Sequence, residues 1–277
     1  MKTVADSVQH SGGSDSSWIL HHVMDERVLN FDLVFTHLTI PIPQFPIIFG
    51  IDLTPTKHVI FMWIAALLVL SLFTLVAKSY KKSLVPKGMA NFFEIFVIFV
   101  RDEIAKTTIG KGYEKFVPYL LTLFFFILFG NFLGLLPWSA TFTSNIGVTA
   151  SLAICSFFLI QIGGIMKNGF FGYFKGLIPH GIPPVLLVLM IPVEILGLFT
   201  KPFALCIRLF ANMIAGHFVI LALIGLIFFI GTEFVAFGAV PFAIFIYFLE
   251  ILVALIQAYV FTILTSLFLG MAVHQEH

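Results

Sequence analysis

From about residue 188 to 230 the chain runs through more than forty residues that are almost wholly apolar, and a second such run occupies about 241–273. About 20 apolar residues already cross the ~30 Å of hydrocarbon in a bilayer, so runs of this length belong in lipid. There the backbone must pair its own N–H and C=O groups, which leaves helix as the spanning form. Composition agrees: 60% of residues are hydrophobic, 10% are charged and the mean hydropathy is +1.07, whereas an ordinary soluble domain is roughly a quarter charged. The expected fold class is an all-α integral membrane protein.

Five spans are expected, at about 58–77, 116–136, 147–166, 188–230 and 241–273, forming one membrane domain over 58–277 after an N-terminal tail, 1–57. Lys78, Lys81, Lys82 and Lys87 follow the first span at once and fix that end in the cytoplasm. The N-terminus is then outside. Residues about 88–108 (GMANFFEIFVIFVRDEIAKTT) are too short an apolar stretch between charged flanks to span, and read as a cytoplasmic-side amphipathic helix. With Lys167 and Lys175 after the third span, ten of the fifteen Lys and Arg lie on one side, and the C-terminus falls inside. Residues 1–58 hold three basic and six acidic residues, are broken by prolines between Ile40 and Pro46, and lack the basic start and apolar core of a signal peptide. The fourth run is too long for a perpendicular helix, so it must tilt steeply or include a re-entrant piece before Pro192. Gly231, Thr232 and Glu233 form a loop before the last span.

The net charge of +1 and the absence of a basic domain exclude nucleic acid as a partner. Cys155 and Cys206 sit inside apolar runs without metal-ligand spacing and read as core residues; His21 and His22 read as a solvated loop. The exceptional residues are Glu194, Lys201, Arg208, Asn212 and His217, all inside the fourth run. A guanidinium at mid-bilayer costs at least ~2.5–3.5 kcal/mol on insertion scales, so Arg208 is a functional-site hypothesis by default. At ~100° per residue, Lys201 lies within ~20° and Asn212 within ~40° of Arg208. Ala204, Ala211, Ala215 and Gly216 lie near the same stripe, and small residues let a partner helix approach closely. Bundle packing alone would explain the alanines but not the arginine. His217 falls ~180° away from the stripe. On the last run Glu250 and Gln257 share a face, and if the two long helices are antiparallel, His217 and Glu250 meet at one depth. Imidazole titrates near physiological pH, so the pair makes a proton relay; a hydrogen-bonded core histidine is the alternative. No internal repeat is visible, which weighs against a carrier of inverted repeats.

KPFALCIRLFANMIAGH (Lys201–His217) together with LEILVALIQAYVFTILTSLFLG (Leu249–Gly270) resembles the signature of the subunit a family of F-type ATP synthases, and NFFEIFVIFVRDEI and FGNFLGLLPW resemble the same family upstream. The resemblance covers nearly everything from Ala90 onward. It implies a non-catalytic, ion-translocating stator subunit of a bacterial inner membrane, without a cofactor or metal. Its implied partners are a ring of c subunits, the b-subunit peripheral stalk, the lipid bilayer and transported H⁺, with Na⁺ the other possible ion. By that likeness Arg208 is the stator charge, Asn212 and Gln257 its polar neighbours, and Glu194 a carboxylate of the cytoplasmic-side half-channel. His217 and Glu250 form an inlet pair, arranged as in mitochondrial members. Asn145 stands where the family often has an aspartate. The rival readings are a stand-alone ion-coupled transporter or channel and a structural scaffold.

Overall fold

The computed structural model describes residues 28–33, 36–41, 54–82, 88–136, 141–176, 184–230 and 233–274. Most of these are helical, as a backbone without water to pair with requires. In chain order the helices are α1 (Lys57–Lys82), α2 (Met89–Ile98), which continues through a π-helical turn (Phe99–Ala105) into α3 (Lys106–Ile109), α4 (Val117–Gly134), α5 (Ile146–Asn168), α6 (Phe170–Gly176), α7 (Pro184–Ile230) and α8 (Glu233–Val273). Five of them, α1, α4, α5, α7 and α8, are long and apolar enough to cross a membrane. One element of another kind lies in the N-terminal tail. There β1 (Val28–Leu33) pairs antiparallel with β2 (Thr36–Pro41), with Leu33 opposite Thr36. The alternation of Leu29, Phe31 and Leu33 with Asn30 and Asp32 has the period of two that strands require. His21 and His22 lie outside the described residues, as do Gly231 and Thr232 of the loop before α8.

The centre of the bundle is α4, half of whose residues are buried, whereas the most apolar part of α7 holds almost no buried residue. Leu120, Phe124, Ile127 and Asn131 are buried almost completely. The helix is the post on which α1, α8 and the π-helical turn pack directly, while α7 packs on α5 and α8. A single stripe of α1, formed by His58, Phe61, Ala65 and Val69, is buried, while Trp63, Leu67 and Leu70 are more than half exposed. On α2 and its π-helical continuation, Phe96 packs on Phe124 and Phe93 on Phe125. Phe92, Ile95 and Ile98 are left exposed. Beyond them the exposed Arg101 guanidinium donates to Asp102 at 2.8 and 2.9 Å, which holds that carboxyl below its usual range. The end of this segment is clamped to α8, where Thr108 pairs with Ser266 and a Cβ added at Gly270 would lie 2.1 Å from the Thr108 carbonyl oxygen.

The two long helices form an antiparallel hairpin whose register is set by three contacts. Lys201 Nζ lies 5.3 Å from the ring centre of Phe268. Asn212 Nδ2 donates to Gln257 Oε1 at 2.9 Å. His217 Nδ1 stands 3.7 Å from Glu250 Oε1. At ~1.5 Å per residue the 47 residues of α7 reach about 70 Å. The re-entrant alternative is absent: α7 runs unbroken through Pro192 and Pro202, and of the two solutions its length allows in a bilayer this leaves tilt. Likewise α8 begins at Glu233 and carries Pro241 inside it, eight residues beyond its start. A proline in a membrane helix frees one carbonyl, which neighbouring groups can satisfy, so it need not end the helix.

Candidate functional site

Along the middle of α7, residues four apart share one fate. Leu205, Leu209 and Met213 are buried against the bundle at 1%, 0% and 1% exposure. Ala204, Arg208, Ala211, Asn212 and Ala215 are exposed on the adjoining face. The guanidinium thus sits on an open face whose neighbours are methyl groups. Among the described residues no carboxylate forms an ion pair with it. Four residues before Asn212 on α7, it comes level with Phe261, four beyond Gln257 on α8. Phe261 is completely buried and offers no charge.

Inward from that face lies the polar interior of the hairpin. Glu250 is 5% and Gln257 2% exposed. The 3.7 Å between His217 and Glu250 is an ion-pair separation, beyond hydrogen-bond reach. Gly216 makes room for the carboxylate, since an added Cβ there would stand 2.8 Å from Glu250 Oε1. Gln257 Nε2 is buried with no hydrogen-bond partner among the described residues. One turn along α8, the Ala254 carbonyl accepts from Asn131 Nδ2 at 3.2 Å, and Asn131 Oδ1 accepts from Thr143 Oγ1 at 2.9 Å. The Asn131–Thr143 pair is a polar thread from the loop after α4 to the helix that carries Glu250. The two partners of Asn131 come from distant segments and left no local signal in the sequence.

Among the described residues, two further cavities carry polar side chains. One, of about 340 Å³, is lined by Glu194, Lys201, Gln161, Tyr173 and His274. Burial raises the Tyr173 phenol above its usual range, and the Glu194 carboxylate adds to the shift. The other, of about 510 Å³, is lined by Thr56, His58, Asn145, Ser151 and Cys155. Asn145 Oδ1 also accepts from the Gly147 N–H at 2.8 Å and so caps α5. The structure therefore pairs His217 with Glu250 and Asn212 with Gln257, lines one cavity with Glu194, leaves Arg208 in the open, and sets Asn145 in a separate cavity. Tyr173, Gln161, His274 and His58 are additions that no spacing in the sequence pointed to.

Residues 59–270 match the family described as ATP synthase A chain. The chain belongs to the ATP synthase subunit a family. A relative of that name from Chloroherpeton thalassium is 50% identical over 263 residues, with 93% of this chain and 77% of the relative covered. Those from Anaeromyxobacter dehalogenans and Chlorobium phaeobacteroides are 48% and 47% identical, covering 96% and 97% of this chain and 73% and 79% of the relatives. As a member of the family the chain is a multi-pass membrane component of the F-type ATP synthase complex.

Proposed function

We propose that the chain conducts protons through two offset half-channels to and from carboxylates on a rotating ring of c subunits, with Arg208 as the stator charge between them. The observation that carries this reading is the placement of Arg208: exposed, without an ion-pair partner among the described residues, on a stripe of exposed alanines in the middle of an apolar hairpin. A permanent charge in that position calls for a mobile counter-charge from another chain, and the methyl-lined face admits a close helix. Protons enter from outside past Asn145 and the His217–Glu250 pair, load a ring carboxylate, and leave inside along the cavity of Glu194. Asn212 and Gln257, hydrogen-bonded to each other beside Arg208, fix the polar surroundings of the charge.

Coulomb attraction between Arg208 and a ring carboxylate at ~4 Å is worth ~4 kcal/mol at an effective dielectric of ~20. That exceeds the ~2.3 kcal/mol a charge gains per ~100 mV of membrane potential, so a carboxylate passing Arg208 stays ionised and the half-channels stay separate. Arginine suits the task because its guanidinium keeps its proton where a desolvated lysine gives its own up. In this reading the subunit catalyses no bond-making of its own, sits in the bacterial inner membrane with its N-terminus outside and C-terminus in the cytoplasm, and is held by the peripheral stalk.

The test is ATP-driven acidification of inverted vesicles containing equal amounts of assembled complex. Arg208→Ala lowers pumping by at least about a hundredfold, the scale on which a preorganised charge acts, and Arg208→Lys is nearly as damaging. Pumping by Arg208→Ala at the wild-type rate would make the arginine merely structural and sink the half-channel reading.

A further inference from the structure

We propose that His58 is the proton-collecting group of the outer cavity, a positioning and relay residue that feeds protons toward the His217–Glu250 pair. The inference rests on the half-channel reading and extends it to α1, which that reading does not use. His58 is 4% exposed and lies on the single inward stripe of α1, one turn before Phe61 and two before Ala65, so its ring faces the bundle and not lipid. It lines the cavity of about 510 Å³ together with Thr56, Asn145, Ser151 and Cys155. These are groups that can hold water in a space large enough for several molecules. By the charge bias of the spans this cavity is at the outer surface, where α1 and α5 both begin.

Of the residues lining it, only His58 and Cys155 carry an ionisable group. Lys57 precedes His58 on the same helix, and α4 and α5 contribute Phe126, Asn145, Ser151 and Cys155. α2 meets α1 only far along the helix, where Phe73 and Phe93 both pack on Phe125. Asn145 at the cavity wall is two residues from Thr143, where the Thr143–Asn131–Ala254 thread toward Glu250 begins. An imidazole in that position takes a proton on one ring nitrogen from the external solution and releases one from the other to interior water. It returns to its neutral form, with no net chemistry. Histidine is the side chain whose ordinary titration falls in the physiological range, so it can load and unload repeatedly.

The experiment uses the complete ATP synthase in liposomes, with synthesis driven by an imposed proton gradient while pH is varied on the side equivalent to the cell exterior. His58→Gln keeps the size and hydrogen bonding of the ring but cannot relay. It is expected to slow synthesis about fivefold at an exterior pH of about 8 and less than about twofold at about 5.5, where free acid substitutes for the collector. In His58→Ala, about 10 mM imidazole is expected to restore most of the rate, because the cavity has room for it. A loss that is equal at every pH and unaffected by imidazole would make His58 structural, and unchanged rates in His58→Gln would remove it from the pathway. Both outcomes overturn the proposal. Arg208→Ala run alongside separates the two levels: if it is inactive while His58→Gln behaves as wild type, only the His58 inference fails, and if it pumps normally the half-channel reading itself is lost.

Discussion

Gly216 carries no chemistry, yet it decides where the Glu250 carboxylate rests. An alanine there would place its methyl 2.8 Å from Oε1 and 3.0 Å from Cδ of Glu250, so the carboxylate must swing away from His217. A displacement of ~1 Å in a proton-relay geometry costs up to ~100-fold. Gly216→Ala is therefore expected to leave assembly normal while reducing ATP-driven acidification by at least about tenfold; an unimpaired rate would mean that the pair's spacing is not critical. His217→Leu and Glu250→Leu test the same pair from the other side, and each is expected to slow proton movement in both directions, read as both synthesis and pumping. At this scale the sequence was informative wherever chemistry conflicts with environment. Arg208, Glu250 and Gln257 announced themselves as polar groups in apolar runs. Gly216 was visible only as one of a stripe of small residues, and neither its contact with Glu250 nor the Asn131–Thr143 pair could be read there, because each depends on which distant segments meet.

At the scale of elements, α8 stands out by packing against α7, α4, α5 and α3 alike. It faces α7 along one side and takes the α2–α3 segment against its C-terminal half, where Gly270 touches the Thr108 carbonyl. Backbone cannot retreat as a side chain can. Gly270→Ala is expected to destabilise the subunit by about 1–3 kcal/mol, as overpacking generally does, seen as less assembled complex and a lower aggregation temperature. Gly197 provides the contrast, since an added Cβ there meets nothing within 4 Å and Gly197→Ala should preserve the fold. Helix identity was legible in the sequence because membrane burial and backbone pairing leave few alternatives. Helix ends were less so: Pro241 marks a boundary in soluble proteins, but here it lies inside α8. The strand pair in the tail was also missed, since a short alternating stretch among polar residues gives a weak signal.

Considered as a whole, the molecule is a post, α4, against which the hairpin packs through α8, while α7 rests on α5 and α8. The charge bias that places the N-terminus outside and the C-terminus inside can be tested with single cysteines and an impermeant maleimide. Val85→Cys is expected to label from the cytoplasmic side and Asp15→Cys from outside, and the reverse pattern would invert the proton path proposed for the subunit. Tilt was one of two solutions the length of the fourth run allowed, and only the unbroken course of α7 through Pro192 removed the other.

The obliquity has a mechanical consequence. The 39-residue apolar stretch of α7 is about 58 Å long, so to remain within ~30 Å of hydrocarbon it must lie about 60° from the normal, beyond the usual range for single helices. At that angle a bilayer thicker by ~1 Å is matched by a rotation of only about 1°. The 18-residue α4 is about 27 Å long and has no such slack. Changes in lipid chain length should therefore be absorbed as a small roll of the hairpin against its post, shifting the height of Arg208 in the membrane rather than stretching any helix.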